Sequence, residues 1–219
     1  MITFLVEEGL RGIIGALFFA FTQRITPNKI EWVNSYKPKP DDVLFQLHTS
    51  EIDLKRVERA IIKYAGIEAI ADMNTCLCLN DKKVNITVFN YASAILSART
   101  NVKDQLCYPD VYEFFEGVNK VNEEIDRTCS FIRLNSNANG LHFAEFCPTN
   151  DLTKPVARKM ASKYQKTPFV LHDIRRGKIA ISNGRTLYYE NCGTNAGFDK
   201  EKTEKYYTEL EKKYCIKKA

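Results

Sequence analysis

Residues 2–21 carry two hydrophobic periodicities end to end, and that junction constrains the fold more than any other feature. Ile2, Phe4 and Val6 alternate with Thr3 and Leu5, which is the period of a strand. Leu10, Ile13, Ile14, Leu17, Phe18 and Phe21 then recur at helical spacing. An amphipathic helix that follows a strand at once has to lay its apolar stripe on a sheet. The apolar stretch from Gly12 to Phe21, bounded by Arg11 and Arg24, is well short of the ~20 residues of a membrane span. No basic run or small-residue cleavage site makes it a signal peptide. Gly9, Gly12 and Gly15 recur every third residue, a spacing that suits close packing of the helix better than a dinucleotide fingerprint.

With 219 residues, 44% hydrophobic and 27% charged, and only 10 Gly and 7 Pro, the chain is long and apolar enough to bury a core without disulfides or a structural metal. Collagen-like, low-complexity and disordered classes are excluded. The seven cysteines are scattered and never form Cys-x-x-Cys, which argues against a disulfide framework and a zinc ribbon and implies reduced thiols and a cytoplasmic address.

Turn signals at Thr26-Pro27-Asn28 and Lys37–Pro40 frame short strands at Ile30–Val33 and Val43–Leu47. The middle third reads as helix. Asp53 can cap a helix through Tyr64, segments 67–79 and 84–98 follow, and Asp110 can cap a longer helix ending near Arg127 or Thr128. That long helix has an apolar face (Val111 to Ile125) and an acidic one (Glu113 to Asp126). Phe131–Leu134, the turn at 137–140 and Leu141–Phe146 read as a β-hairpin. Asp151 can cap a helix with Pro155 in its first turn, and strands follow at Phe169–Leu171, Lys178–Ser182 and Thr186–Tyr189. The expected architecture is α+β. A single domain spans 1–190 with a central mixed or antiparallel sheet covered by helices, and residues 191–219 form a polar connection and a lysine-rich terminal helix.

Charge is concentrated. Residues 152–189 hold nine basic side chains (Lys154, Arg158, Lys159, Lys163, Lys166, Arg175, Arg176, Lys178, Arg185) against the one acid Asp173, so the segment is +8 and the rest of the chain, +5 minus +8, is −3. On a helix Lys154 and Arg158, like Lys159 and Lys163, stack four apart into a ridge suited to phosphates. A solvated basic face partly paired with the acidic helix is the alternative. His172-Asp173 before Arg175-Arg176 is the densest cluster with catalytic vocabulary, although strand neighbours point to opposite faces and do not form a dyad with each other. His142 and Glu145, three apart on a strand, do not share a metal site, and no phosphate loop, nucleophile elbow or iron–sulfur cluster motif is present. Neither a cofactor nor a metal is expected.

Gly12–Phe21 after the first strand, Pro109-Asp110-Val111, Ser130–Leu134, Pro148-Thr149-Asn150-Asp151 and Phe169–Arg176 together resemble a bacterial family of DNA-repair or DNA-metabolism proteins. Its members are typically encoded beside a radical SAM protein, and some are fused to a uracil-DNA glycosylase domain. The resemblance covers residues 1 to about 190. Two departures stand out: Glu124-Ile125-Asp126-Arg127 lacks the family's histidine, and Lys159-Met160 stands where the family places His-Phe. The resemblance implies Glu124, Arg127, Arg133, His172, Asp173 and Arg176 as retained residues.

The leading expectation is a DNA-binding accessory protein of repair, with a radical SAM protein or uracil-DNA glycosylase as partner. Its phosphate contacts would be Lys154, Arg158, Lys159, Lys163, Arg175, Arg176, Lys178 and Arg185, with Tyr164 or Tyr188-Tyr189 stacking on a base. Two alternatives accompany it. One is an enzyme processing a nucleotide or damaged base with Glu124, Arg127, Arg133, His172 and Asp173, where His172 or Glu124 is the general base. The other is a protein-binding adaptor or inhibitor.

Overall fold

A computed structural model of the chain describes residues 1–38, 40, 42–136, 142–192, 209, 213 and 214. It has an α+β fold and divides into two compact units, Met1–Val121 and Asn122–Ala219.

In the first unit, β1 (Ile2–Val6) runs into α1 (Leu10–Gln23), then β2 (Lys29–Trp32) and β3 (Val43–Gln46). β1 lies between β2 and β3 and is parallel to both, so the carboxyl ends of all three strands share one edge. Phe4 meets Phe19 of α1 and Phe45 of β3 edge-on, with ring centroids 5.4 and 5.9 Å apart, so the helical stripe lands on the sheet as its spacing requires. Gly12 is compulsory: a Cβ there would come within 1.9 Å of the Glu7 carbonyl oxygen.

The helices α2 (Glu51–Ala65), α3 (Ile67–Cys76) and α4 (Val84–Ala98) and the first part of α5 (Pro109–Phe131) complete this unit. Ser50, not Asp53, caps α2. Its hydroxyl accepts from the Asp53 amide at 3.2 Å, which leaves Asp53 in the first turn where a carboxylate complements the helix dipole. Tyr91 of α4 stacks flat on Phe114 of α5 at 3.8 Å in the centre of the core.

The second unit contains the end of α5, then β4 (Asn135–Ser136), β5 (His142–Phe146), α6 (Thr153–Lys163), β6 (Phe169–Asp173), β7 (Lys178–Ser182) and β8 (Leu187–Asn191). They form one sheet in the order β4-β5-β6-β7-β8, with β5 and β6 parallel across the α6 crossover and the other pairs antiparallel. α6 packs on β6, β7 and β8. Alternation therefore assigns Ala144, Leu171, Asp173 and Ala180 to one face of the sheet, and Glu145, Val170, His172 and Ile179 to the other.

Two expectations are corrected here. The long helix does not end near Arg127, and Phe131 is helical rather than the start of a strand. Ile125, Cys129 and Ile132 are all buried, so a cysteine carries the apolar stripe one turn further. The Arg133 guanidinium then closes the helix by donating to the carbonyls of Ser130 and Ile132. Nor does Asp151 cap α6: Leu152 stands at that position with no side-chain hydrogen bond, and Asp151 pairs with Lys178 instead. The turn at 137–140 lies outside the described residues. So does nearly all of the terminal helix, of which Glu209 and Lys213 are described and helical. No helix among the described residues is long and apolar enough to cross a membrane.

Candidate active site

The parallel pair β5 and β6 ends at Phe146 and Asp173, and the polar residues singled out in the sequence gather around those ends. In open sheets with parallel strands this edge is where loops carry function. The loop leaving β5 is gripped from two sides. Glu124 of α5, buried, accepts from the amide of Thr149 at 2.6 Å, the amide of Asn150 at 3.3 Å and the Asn150 side-chain amide at 2.6 Å. On the other side, Arg175 and Arg176 donate to the Pro148 carbonyl at 3.3 and 3.2 Å, and Arg176 donates also to the Thr149 carbonyl. The two arginines are held in turn by Asp173, fully buried, which accepts from both their backbone amides and from the Arg176 guanidinium at 3.1 Å.

Glu124 takes the loop's donors while the arginines take its acceptors. Two residues expected as catalytic, Glu124 and Asp173, therefore spend their carboxylates on positioning backbone. Arg133 spends its guanidinium on the end of α5, and Arg127 is exposed with no ion pair among the described residues. The five expected catalytic residues do not converge.

His172 is different. It sits one residue before Asp173 on the opposite face, almost completely buried. Its Nδ1 faces Glu145 Oε1 at 3.8 Å, and its Nε2 lies 3.5 Å from the Cys192 thiol. Glu145 and His172 are register partners on β5 and β6. Cys192 follows β8 and is fastened to the β6–β7 turn: its amide donates to the Gly177 carbonyl at 2.7 Å and its thiol to the same oxygen at 3.1 Å. Burial pushes the imidazole below its ordinary value near 6.5, outweighing the pull of Glu145 and Asp173 in the other direction. Burial also raises the Cys192 thiol. Both groups are accordingly neutral near pH 7, a thiol beside an imidazole base with a carboxylate behind it.

The depressed His172 pKa fixes a sign. Between the folded value and about 6.5 the unfolded chain binds a proton that the folded chain refuses, so stability rises with pH through that window. The contribution is complete above about 6.5 and is lost as pH falls towards the folded value. Urea denaturation of wild type and His172→Gln from pH 7.5 to 5 is expected to show an extra loss in wild type; parallel curves would contradict the assignment.

Neither Glu145 nor Cys192 was among the expected site residues. Pairing register brings Glu145 to His172, and a loop-closing bond brings Cys192; neither is written in local sequence. The only hint was that Glu145 and His172 both lie in strand-like runs.

Several expected phosphate contacts are already committed. Lys159 pairs with Asp126, Lys178 with Asp151, and Lys154 lies over the Tyr189 ring at 5.9 Å. Arg175 and Arg176 hold the loop. Lys163 lies over the Tyr164 ring at 5.3 Å, while Arg158 and Arg185 are exposed without an ion pair among the described residues. Tyr188 packs against Tyr214, and Tyr189 is exposed.

In the first unit a crevice of about 170 Å³ opens at the carboxyl ends of β1 and β3, between Glu7, Gly12, Gly15 and Thr49. That is below the roughly 300 Å³ at which small-molecule sites begin. No group of three His, Cys, Asp or Glu side chains among the described residues could hold a metal ion.

The second unit is thus a mixed sheet whose strand ends carry a fixed loop and whose far face sets His172 between Glu145 and Cys192. The chain belongs to the family described as "Domain of unknown function (DUF4130)", whose model matches residues 82–218. No curated protein matches the sequence. Among solved structures it is similar to a pGpG-specific phosphodiesterase, PggH from Vibrio cholerae, at 10% identity over 82% of this chain and 80% of that one, with a TM-score of 0.34.

These findings correct the resemblance drawn from the sequence. The matching family is described as a domain of unknown function and the similar structure is titled a pGpG-specific phosphodiesterase, so neither comparison returns a DNA-repair or radical SAM-associated protein. The reading as a DNA-binding accessory protein is set aside with it, and the committed lysines and arginines supply the physical reason. A likeness of that score carries nothing to this chain's chemistry, which rests on its own residues.

Proposed function

We propose that the chain is an enzyme acting on a nucleotide or nucleobase-bearing small molecule, with His172 as general base. The observation that carries the reading is the imidazole itself: buried, neutral, 3.5 Å from a thiol and 3.8 Å from a carboxylate. A neutral imidazole whose pKa lies below the working pH is in the correct protonation state to accept a proton. The exposed Arg175 guanidinium, just past the end of the strand that carries His172, favours an anionic substrate. Arg175 is exposed and retains guanidinium donors beyond its single bond to the Pro148 carbonyl. Glu124 and Asp173 enter this reading as positioning residues that hold the 148–150 loop and the 174–176 turn. The six described cysteines are free thiols, which supports a reducing compartment and, on our reading, the cytoplasm.

The test is a chromatographic screen of the full chain against a panel of nucleotides, nucleosides and cyclic or linear dinucleotides, beside a folded His172→Ala variant. Wild type is expected to convert at least one compound, with turnover lowered about 10²- to 10⁴-fold in the variant. Conversion that survives His172→Ala unchanged, or no conversion of any compound, would sink the reading.

A further inference from the structure

We infer that Cys192 is the nucleophile of this site and that its substrate presents an electrophilic sp2 carbon bearing a nitrogen leaving group. An amide, an amidine and the amino-substituted carbon of a nucleobase all fit that description. The inference rests on the proposed role of His172 and adds to it the covalent step and the class of reacting centre.

Three features of the second unit carry it. The thiol is fixed rather than loosely placed, because the amide and the sulfur of Cys192 both bond the Gly177 carbonyl, tying the end of β8 to the β6–β7 turn. The Nε2 atom of His172 faces that sulfur at 3.5 Å, within reach for a hydrogen bond to sulfur. Behind the ring, Glu145 Oε1 lies 3.8 Å from Nδ1. A carboxylate on that side favours the tautomer that carries its proton on Nδ1, which leaves the Nε2 lone pair for the thiol proton. Nucleophile, base and orienting carboxylate thus stand in line, each on a different segment of one sheet: the end of β8, β6 and β5.

Cys192 packs against the apolar cluster of Val170, Ile179 and Ile181, as Cys76 packs in the other unit, but Cys76 has only the Phe114 carbonyl at 4.0 Å and no imidazole beside it. Cys192 is only half buried.

The step balances with water as the only co-reactant. The thiol proton, held at rest by the Gly177 carbonyl, turns to Nε2 and passes to it as sulfur attacks the sp2 carbon, forming a C–S bond. The imidazolium returns that proton to the leaving nitrogen as the C–N bond breaks. Water, deprotonated by Nε2, then cleaves the C–S bond, and the proton goes back to sulfur. The net reaction is hydrolysis of a C–N bond.

Alkylation by iodoacetamide at pH 7, read cysteine by cysteine by mass spectrometry on the full chain, tests the nucleophile without a known substrate. Cys107 and Cys147 are exposed and serve as internal references. On accessibility alone they react before Cys192. With His172 taking its proton, Cys192 is expected to react at a rate comparable to theirs despite its burial, and to lose about tenfold or more of that rate in His172→Gln. A Cys192 rate about tenfold or more below those of Cys107 and Cys147, or one indifferent to His172→Gln, overturns the inference.

The turnover screen separates this from failure of the wider reading. Activity lost in both His172→Ala and Cys192→Ala supports the thiol. Activity lost in His172→Ala but kept in Cys192→Ala overturns the thiol and leaves the base standing. Activity kept in both overturns both.

Discussion

Asp173→Ala is expected to lower the unfolding free energy by about 3 to 5 kcal/mol, the usual consequence of removing one partner from a buried charge pair. The carboxylate is fully buried and accepts from two backbone amides and one guanidinium. Its loss leaves the amides of Arg175 and Arg176 unsatisfied and frees the Arg176 side chain from the turn. Arg176 then has no anchor from which to hold the carbonyls of Pro148 and Thr149. Urea denaturation measures the effect. Combined with Arg176→Ala, the double variant is expected to cost much less than the sum of the singles, because both act on one network. Additive losses would mean that Asp173 works independently of the arginine.

Glu124→Ala is the second large effect, expected to cost about 3 kcal/mol or more, since three donors lose a charged acceptor inside the protein. Glu124→Gln is the sharper comparison. The amide keeps the shape but turns an NH2 group towards donors, so it is expected to recover less than half of the loss. Were Glu124 a catalytic acid or base instead, Gln would abolish turnover while leaving the denaturation midpoint in place. The two outcomes are cleanly different, and the geometry of the 148–150 loop favours the first.

Much of the fold was legible because it depends on local patterns. The strand-to-helix change at residues 2–21, the helices of the middle third and the run Lys178–Ser182 follow from periodicity, and the structure has them. The errors came where one residue's role depends on what it meets. Cys129 extends α5 because it is buried as an apolar residue, which a count of polar neighbours at Glu123–Arg127 hides. Asp151 is a sound cap by type, yet Lys178 claims it from a distant strand.

The site was legible in part for the same reason. His172, Asp173, Arg175 and Arg176 are adjacent in sequence and stand out. That His172 and Asp173 face opposite sides of the sheet was also readable from alternation. What could not be read was register. Glu145 meets His172 only because β5 and β6 pair in parallel across a helix, and Cys192 joins them only because the end of β8 closes on Gly177.

The two-sided grip on Pro148–Asn150 bears on how this part of the chain can change over evolutionary time. Side chains there can vary wherever they point outward, since apart from the Asn150 side-chain amide the grip is on backbone atoms. The number of residues cannot vary. One insertion or deletion between the end of β5 and the start of α6 would put a donor opposite the arginines or an acceptor opposite Glu124, reversing the polarity of both contacts. Relatives that keep this architecture should therefore differ in the spelling of this loop and agree in its length.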